Sequence, residues 1–200
     1  RPGVASHRAP ALDRWNMGRL GPLKWIALLA IVALVTWEYL GNSSGPAVGE
    51  AAPDFTVPTW GQGDFTLSDH KGKIIVLDFW ATWCPPCKAS LPALQRVYRK
   101  HQGEPDLLIA SVNTDRGPKQ QQVVPNFMKQ RRYDFPVLFD TGMRISQTYN
   151  VRSIPTMVVV GRDGAVREVQ VGLPSTSVDG IAEHLERWIA EAREAEPAGG

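Results

Sequence analysis

The sequence predicts an α/β fold, and three observations carry that prediction. Apolar runs of strand length, rich in β-branched residues, recur at 74–80, 107–112 and 157–160. Helix-compatible segments separate or follow them, at 89–101 and at 181–192, where Ile181, Leu185, Trp188, Ile189 and Ala192 mark one face. A Cys-x-x-Cys pair, Cys84 and Cys87, sits where the first run passes into the first helix, and the chain holds no other cysteine.

Two hundred residues suit one domain with an appendage. The formal charge of +2 is too small to argue for a nucleic-acid partner, but its distribution is informative. Arg1, Arg8, Arg14, Arg19 and Lys24 precede or open an apolar segment against a single acid, Asp13. From Glu38 to His70 there are acids and no Lys or Arg. That asymmetry follows the positive-inside rule. Residues 1–22 are therefore expected to be a basic cytoplasmic segment and 23–40 a single transmembrane anchor. Eighteen residues span roughly 27 Å as a helix, against a ~30 Å hydrocarbon core. Lys24 and Glu38 can snorkel at the ends, with Trp25, Trp37 and Tyr39 at the interfaces. A cleavable signal peptide is the competing reading, because the uncharged run 25–37 also has the length of an h-region. Either reading puts the following domain outside the cytoplasm.

Residues 41–52 are small and polar and read as a flexible linker to a domain at 53–194. Within that domain, 55–57 and 65–67 flank Gly61-Gln62-Gly63 and predict a β-hairpin, with Trp60 near its turn as a partly covered surface aromatic. The next run, 74–80, is a buried strand broken by one acid. Side chains alternate along a strand, so Ile74, Val76, Asp78 and Trp80 share a face. A carboxyl among such neighbours is desolvated and its pKa raised.

Trp83-Cys84-Pro85-Pro86-Cys87-Lys88 follows. A purely structural disulfide would close a four-residue loop and contribute only about 2 kcal/mol on the chain-entropy estimate. Zinc wants four ligands, and no second Cys-x-x-Cys or His-x-x-x-His pair is present. A redox-active dithiol, needing no other cofactor and no metal, is the reading favoured. At the first turn of a helix a cysteine meets unpaired N–H groups and the positive dipole end, which favour thiolate. Cys84 is thus expected to be the exposed nucleophile. Cys87, three residues on and on the same helical side, is expected to resolve the mixed disulfide. Pro85 and Pro86 suit a first helical turn, where their missing N–H groups are not needed.

Asp78-Phe79-Trp80-Ala81-Thr82-Trp83-Cys84-Pro85-Pro86-Cys87-Lys88, with Ser153-Ile154-Pro155-Thr156 far downstream, resembles the thioredoxin superfamily. With an N-terminal apolar anchor it is most similar to the membrane-tethered TlpA/ResA-type thiol–disulfide oxidoreductases. The resemblance covers about 53–189. It implies a thioredoxin-like central mixed sheet flanked by helices, preceded by the hairpin as an N-terminal extension. It also implies a cis-proline at Pro155 and main-chain contacts from Ile154 to an extended substrate, with Trp83, Pro85 and Pro86 completing the substrate-binding surface. Asp78, six residues before Cys84, matches the buried acid that passes the proton of the resolving cysteine. One departure stands out. Many TlpA/ResA-type proteins carry Glu three residues after the second cysteine, whereas this chain has Ser90. Asp78 is expected to take over as proton acceptor.

Pro92 should kink the helix after the cysteines, as prolines at that offset do in thioredoxins. After the strand 107–112, residues 118–132 are expected to be helical mainly beyond Pro125. Residues 137–139 predict a short strand and 145–149 a short helix, the material that the TlpA/ResA class inserts. Arg162-Asp163-Gly164 signals a hairpin joining 157–160 to a strand at 166–171. Residues 195–200 read as a disordered tail. None of the four histidines has a partner at a useful spacing for general-base or metal chemistry.

The expected activity is an extracytoplasmic thiol–disulfide exchange with a substrate protein, in the direction of reduction, serving cytochrome c maturation or copper-site assembly. A membrane-embedded electron donor is implied, because the compartment is oxidising. Two other classes remain as alternatives on the same fold. A thiol peroxidase needs Thr three residues before its cysteine, and here Thr82 is two before Cys84. The fold's copper-binding chaperones use Cys-x-x-x-Cys, and this chain has Cys-x-x-Cys.

Overall fold

Seven consecutive residues, Ile74–Trp80, are buried on both faces and form the central strand. The structure, a computed structural model, describes residues 22–41, 45–61 and 63–195. The chain divides into two compact units, Arg1–Ser43 and Ser44–Gly200.

The first unit contributes helix α1, Pro22–Gly41, over the segment expected to be an anchor. Its described side chains include exposed Trp25, Ile26, Leu28, Leu29, Ile31, Val32 and Leu34. Among the described residues no helix is long and apolar enough to cross a membrane. The expected span at 23–40 is therefore not shown by the described residues. The expected cytoplasmic segment, but for its last residue, and the expected tail beyond 195 lie outside the described residues.

In the second unit, β1 (Thr56–Pro58) and β2 (Asp64–Thr66) pair antiparallel as the expected hairpin. Then follow β3 (Ile74–Trp80), α2 (Pro85–Lys100), β4 (Leu107–Asn113), α3 (Gln120–Arg131), β5 (Val137–Phe139), α4 (Arg144–Thr148), β6 (Thr156–Val160), β7 (Val166–Val171) and α5 (Val178–Glu194). The main sheet has the order β5-β4-β3-β6-β7. Strand β3 runs parallel to β4, which is parallel to β5, and antiparallel to β6, which is antiparallel to β7. This is the mixed sheet that the resemblance implies.

Alternation along β3 separates two cores. Ile74, Val76 and Trp80 join Leu91, Leu94, Met128, Leu185 and Trp188 on the face of α2, α3 and α5. Ile75, Leu77 and Phe79 join Phe65, Leu67, Ile145 and Tyr149 on the other. The hairpin thus covers a sheet face that would otherwise be wet, with Phe65 stacked against Phe55 at 5.8 Å and His70 at 4.7 Å.

Two sequence expectations need correction. The stretch up to residue 52 is not all tether. Gly49 N–H donates to Val166 O at 2.8 Å, and Ala52 N–H to Gly164 O at 2.9 Å. Farther on, Trp60 N–H donates to Val137 O at 2.9 Å, and Trp60 itself is half-buried. Edge strands present unpaired backbone groups, and this segment uses them at both margins of the sheet. Helix α3 also begins five residues before Pro125 rather than after it. The carbonyl that Pro125 leaves without an i+4 donor belongs to exposed Gln121, where water can serve. The buried Gln120 meanwhile pins the first turn through Nε2 donation to Asn113 Oδ1 at 3.0 Å.

Side-chain hydrogen bonds fasten the far ends of the helices. Both nitrogens of the buried His101 meet carboxylates, Nδ1 to Glu104 at 2.9 Å and Nε2 to Glu186 at 2.8 Å, joining α2 to α5. Because Phe65 carries the apolar area that seals the second core, Phe65→Ala is expected to lower stability by about 3 kcal/mol. Urea denaturation of the oxidised protein measures that loss, and a change within error would show that the hairpin does not support the sheet.

Candidate active site

Strand β3 ends at Trp80, three residues bridge to Cys84, and Cys84 is the N-cap of α2. Its Sγ accepts from Cys87 N–H at 3.2 Å. Pro85 and Pro86 occupy the first turn and bring no N–H of their own, so the Cys87 amide is the helix donor that reaches the sulfur. Cys84 and Cys87 form a disulfide, with Cα atoms 5.3 Å apart.

The sequence expectation of an exposed Cys84 is corrected: the residue is 2% exposed in this oxidised state. The surface around it is taken by its neighbours, with Trp83 64% exposed and Pro85 and Pro86 also exposed. On the other side, Ile154 O lies 3.7 Å from Cys84 Sγ. The Ile154–Pro155 peptide bond is cis, the geometry that the resemblance implies. Ile154 is half-buried and Pro155 buried, and Thr156 Oγ1 donates to Ser153 O at 2.7 Å to hold the turn. Trp83, Pro85, Pro86 and Ile154 therefore converge on the dithiol from two separate segments.

Asp78 is fully buried on the face of β3 that carries Trp80. Among the described residues neither of its carboxyl oxygens has a hydrogen-bond partner, and neither does Trp80 Nε1. Burial pushes the Asp78 carboxyl up to about 7. Ser90, where many relatives of the resembled class have Glu, is buried and donates its hydroxyl to Cys87 O at 3.0 Å. That leaves it tied to the helix backbone and offers no carboxylate.

One part of the site was not anticipated. Asp115 accepts from Thr82 N–H at 2.8 Å, Thr82 Oγ1–H at 2.7 Å and Asn113 Nδ2–H at 2.7 Å. Thr114 N–H donates to Trp80 O at 2.8 Å. This clamp fixes the bridge that delivers Cys84, and its only signal in the sequence is the polar triplet Asn113-Thr114-Asp115 closing an apolar strand. Among the described residues no group of three or more His, Cys, Asp or Glu side chains is placed to hold a metal ion.

The sequence profile of the AhpC/TSA family matches residues 48–169, more than half of the chain. The chain belongs to the AhpC/TSA family. It is 32% identical to the thioredoxin-like protein YneN of Bacillus subtilis over 74% of this chain and 90% of that one. It is 36% identical to the thiol-disulfide oxidoreductase ResA of Bacillus cereus, over 62% of this chain and 70% of that one. The crystal structure of StoA from Bacillus subtilis superposes with a TM-score of 0.58 and 31% identity, over 72% of this chain and 98% of that one. This AhpC/TSA protein has the thioredoxin-like fold and is a thiol–disulfide oxidoreductase of the ResA/StoA type.

Asp78 sets a pH dependence whose sign follows from its raised pKa. Between the ordinary aspartate value of 3.8 and about 7, the folded protein keeps Asp78 protonated while the unfolded chain ionises it. Its contribution to stability is full below 3.8 and is lost as pH rises through 7, a swing on the order of 4 kcal/mol. Asp78→Asn is expected to be stabilising relative to wild type above pH 7, with the difference shrinking toward pH 4. Parallel urea titrations at the two pH values check this, and a pH-independent difference would contradict it.

Proposed function

We propose that the Cys84–Cys87 pair reduces disulfides in substrate proteins outside the cytoplasm. The observation that carries this reading is the convergence of Cys84 Sγ and Ile154 O, 3.7 Å apart, beside a cis-proline. It combines a sulfur at a helix N-terminus with a main-chain acceptor suited to an extended polypeptide. Cys84 thiolate attacks one sulfur of the substrate disulfide, and the other sulfur leaves with the bonding pair and takes a proton. Cys87 then gives its proton to Asp78, and its thiolate attacks Cys84 Sγ. The second substrate sulfur departs, the Cys84–Cys87 disulfide forms, and two electrons have passed to the substrate. A carboxyl titrating near 7 can both accept and return a proton at neutral pH.

The substrates we favour are apocytochrome c or a copper-site protein, with a membrane-embedded donor returning the dithiol. We also propose membrane attachment through α1, at the cytoplasmic membrane, with the catalytic domain on the far side. Exposed apolar side chains along α1, basic residues before it and acids after it support this reading. The chain with residues 1–43 is then expected in the membrane fraction after alkaline extraction, and in the soluble fraction once they are removed.

Trapping tests the chemistry. Cys87→Ser should accumulate mixed disulfides through Cys84, and Cys84→Ser should accumulate none. Asp78→Asn should leave the first attack unchanged and slow release by a factor on the order of 10². Release at the wild-type rate would remove Asp78 from the proton path, and failure of Cys87→Ser to trap any disulfide would sink the dithiol mechanism.

A further inference from the structure

The turn that carries Cys84 is fixed from outside itself. Cys84 N–H donates to Ala81 O at 3.2 Å, which makes Thr82 and Trp83 the corner residues. Trp83 is exposed, and the corner is anchored through Thr82. Both donors of Thr82 go to one carboxylate, its N–H to Asp115 Oδ2 at 2.8 Å and its Oγ1–H to Asp115 Oδ1 at 2.7 Å. A two-point hold of this kind sets the backbone and the side-chain rotamer together.

Asp115 is itself held. It accepts from Asn113 Nδ2–H at 2.7 Å, and its own N–H donates to Asn113 Oδ1 at 3.2 Å. Gln120 Nε2, on α3, donates to the same Asn113 oxygen at 3.0 Å. Asn113 and Gln120 are buried, as is Thr114, whose hydroxyl donates to Trp80 O at 3.1 Å. Polar side chains buried at a strand end are costly unless satisfied, and a satisfied network fixes one geometry. This network ends two residues before the reactive sulfur.

That sulfur has a confined place. Cys84 Sγ sits between Cys87 N–H at 3.2 Å and Ile154 O at 3.7 Å, and Cys84 itself is buried. In the oxidised protein the bond to Cys87 also ties it down. Reduction removes that bond, and hydrogen bonds alone then hold the turn. From this we infer that Asp115 is a positioning residue: acting through Thr82, it holds Cys84 in line for attack on the substrate disulfide. It touches no reacting atom. The inference rests on the dithiol mechanism proposed above and adds the group that orients its nucleophile. Displacing a reacting atom by about an ångström can cost on the order of 10² in rate. Asp115 also borders the cavity that Trp83 and Ile154 line, so direct contact with the substrate is the rival role.

The test uses the reduced 200-residue chain and a peptide disulfide with a chromophoric leaving thiol, in single turnover across peptide concentration. Thr82→Val keeps the volume and the N–H and removes the hydroxyl, and Asp115→Asn removes the charge. Each is expected to lower the limiting rate about tenfold, with the half-saturating concentration unchanged. Thr82→Ser keeps the hydroxyl and should run at the wild-type rate. The double variant Thr82→Val/Asp115→Asn should be no slower than the slower single one, because the two changes remove one shared interaction. Urea titration of each oxidised variant shows whether it folds. Should Asp115→Asn fail to fold, Thr82→Val and Thr82→Ser decide the matter alone. Wild-type rates in the folded variants, or losses that multiply in the double one, overturn the inference and leave the dithiol mechanism standing. So does a raised half-saturating concentration at an unchanged limiting rate, which makes Asp115 a substrate contact. Failure of the wild-type chain to reduce the peptide removes both.

Discussion

Strand β3 is held from both sides, and the active end of the molecule depends on it. Its parallel partner β4 carries the chain on to Asp115, which clamps the bridge to Cys84. Its antiparallel partner β6 begins at Thr156, immediately after the cis-proline that faces Cys84. Two segments about seventy residues apart in sequence are thus brought to the same sulfur by the hydrogen-bond registers of one strand. The cost of that position is a strand buried on both faces, tolerable for Ile, Val and Leu and expensive for the one carboxyl it contains.

That expense is concentrated at Asp78. A buried carboxyl without a hydrogen-bond partner is held neutral by its surroundings rather than paired. Ser90 is engaged by the Cys87 carbonyl, and α2 carries no carboxylate. The carboxyl whose titration burial moves toward neutrality thus lies on the sheet and not on the helix.

Much of the fold was legible because the strands are short, apolar and β-branched and because the cysteines sit at an unmistakable strand–helix junction. Asp78 was legible for the same reason, a single acid in an apolar alternation. The features that escaped depend on contacts between distant segments. Gln120 makes a helix start before Pro125 by bonding to Asn113, a partner that no local propensity reveals. Gly49 and Ala52 look like tether until the loop at Gly164–Val166 offers them hydrogen bonds. Cys84 was expected at the surface because helix N-termini usually are, and it is covered because Ile154 arrives from elsewhere. The Asp115 clamp likewise joins two loops whose nearness only the sheet establishes.

The covering of Cys84 has a kinetic meaning. A disulfide this buried, beside an exposed indole and two exposed prolines, presents little area to an attacking thiol. Exchange then falls to molecules that first dock and rearrange that rim. Such shielding ties access to the sulfur to recognition at the rim that covers it.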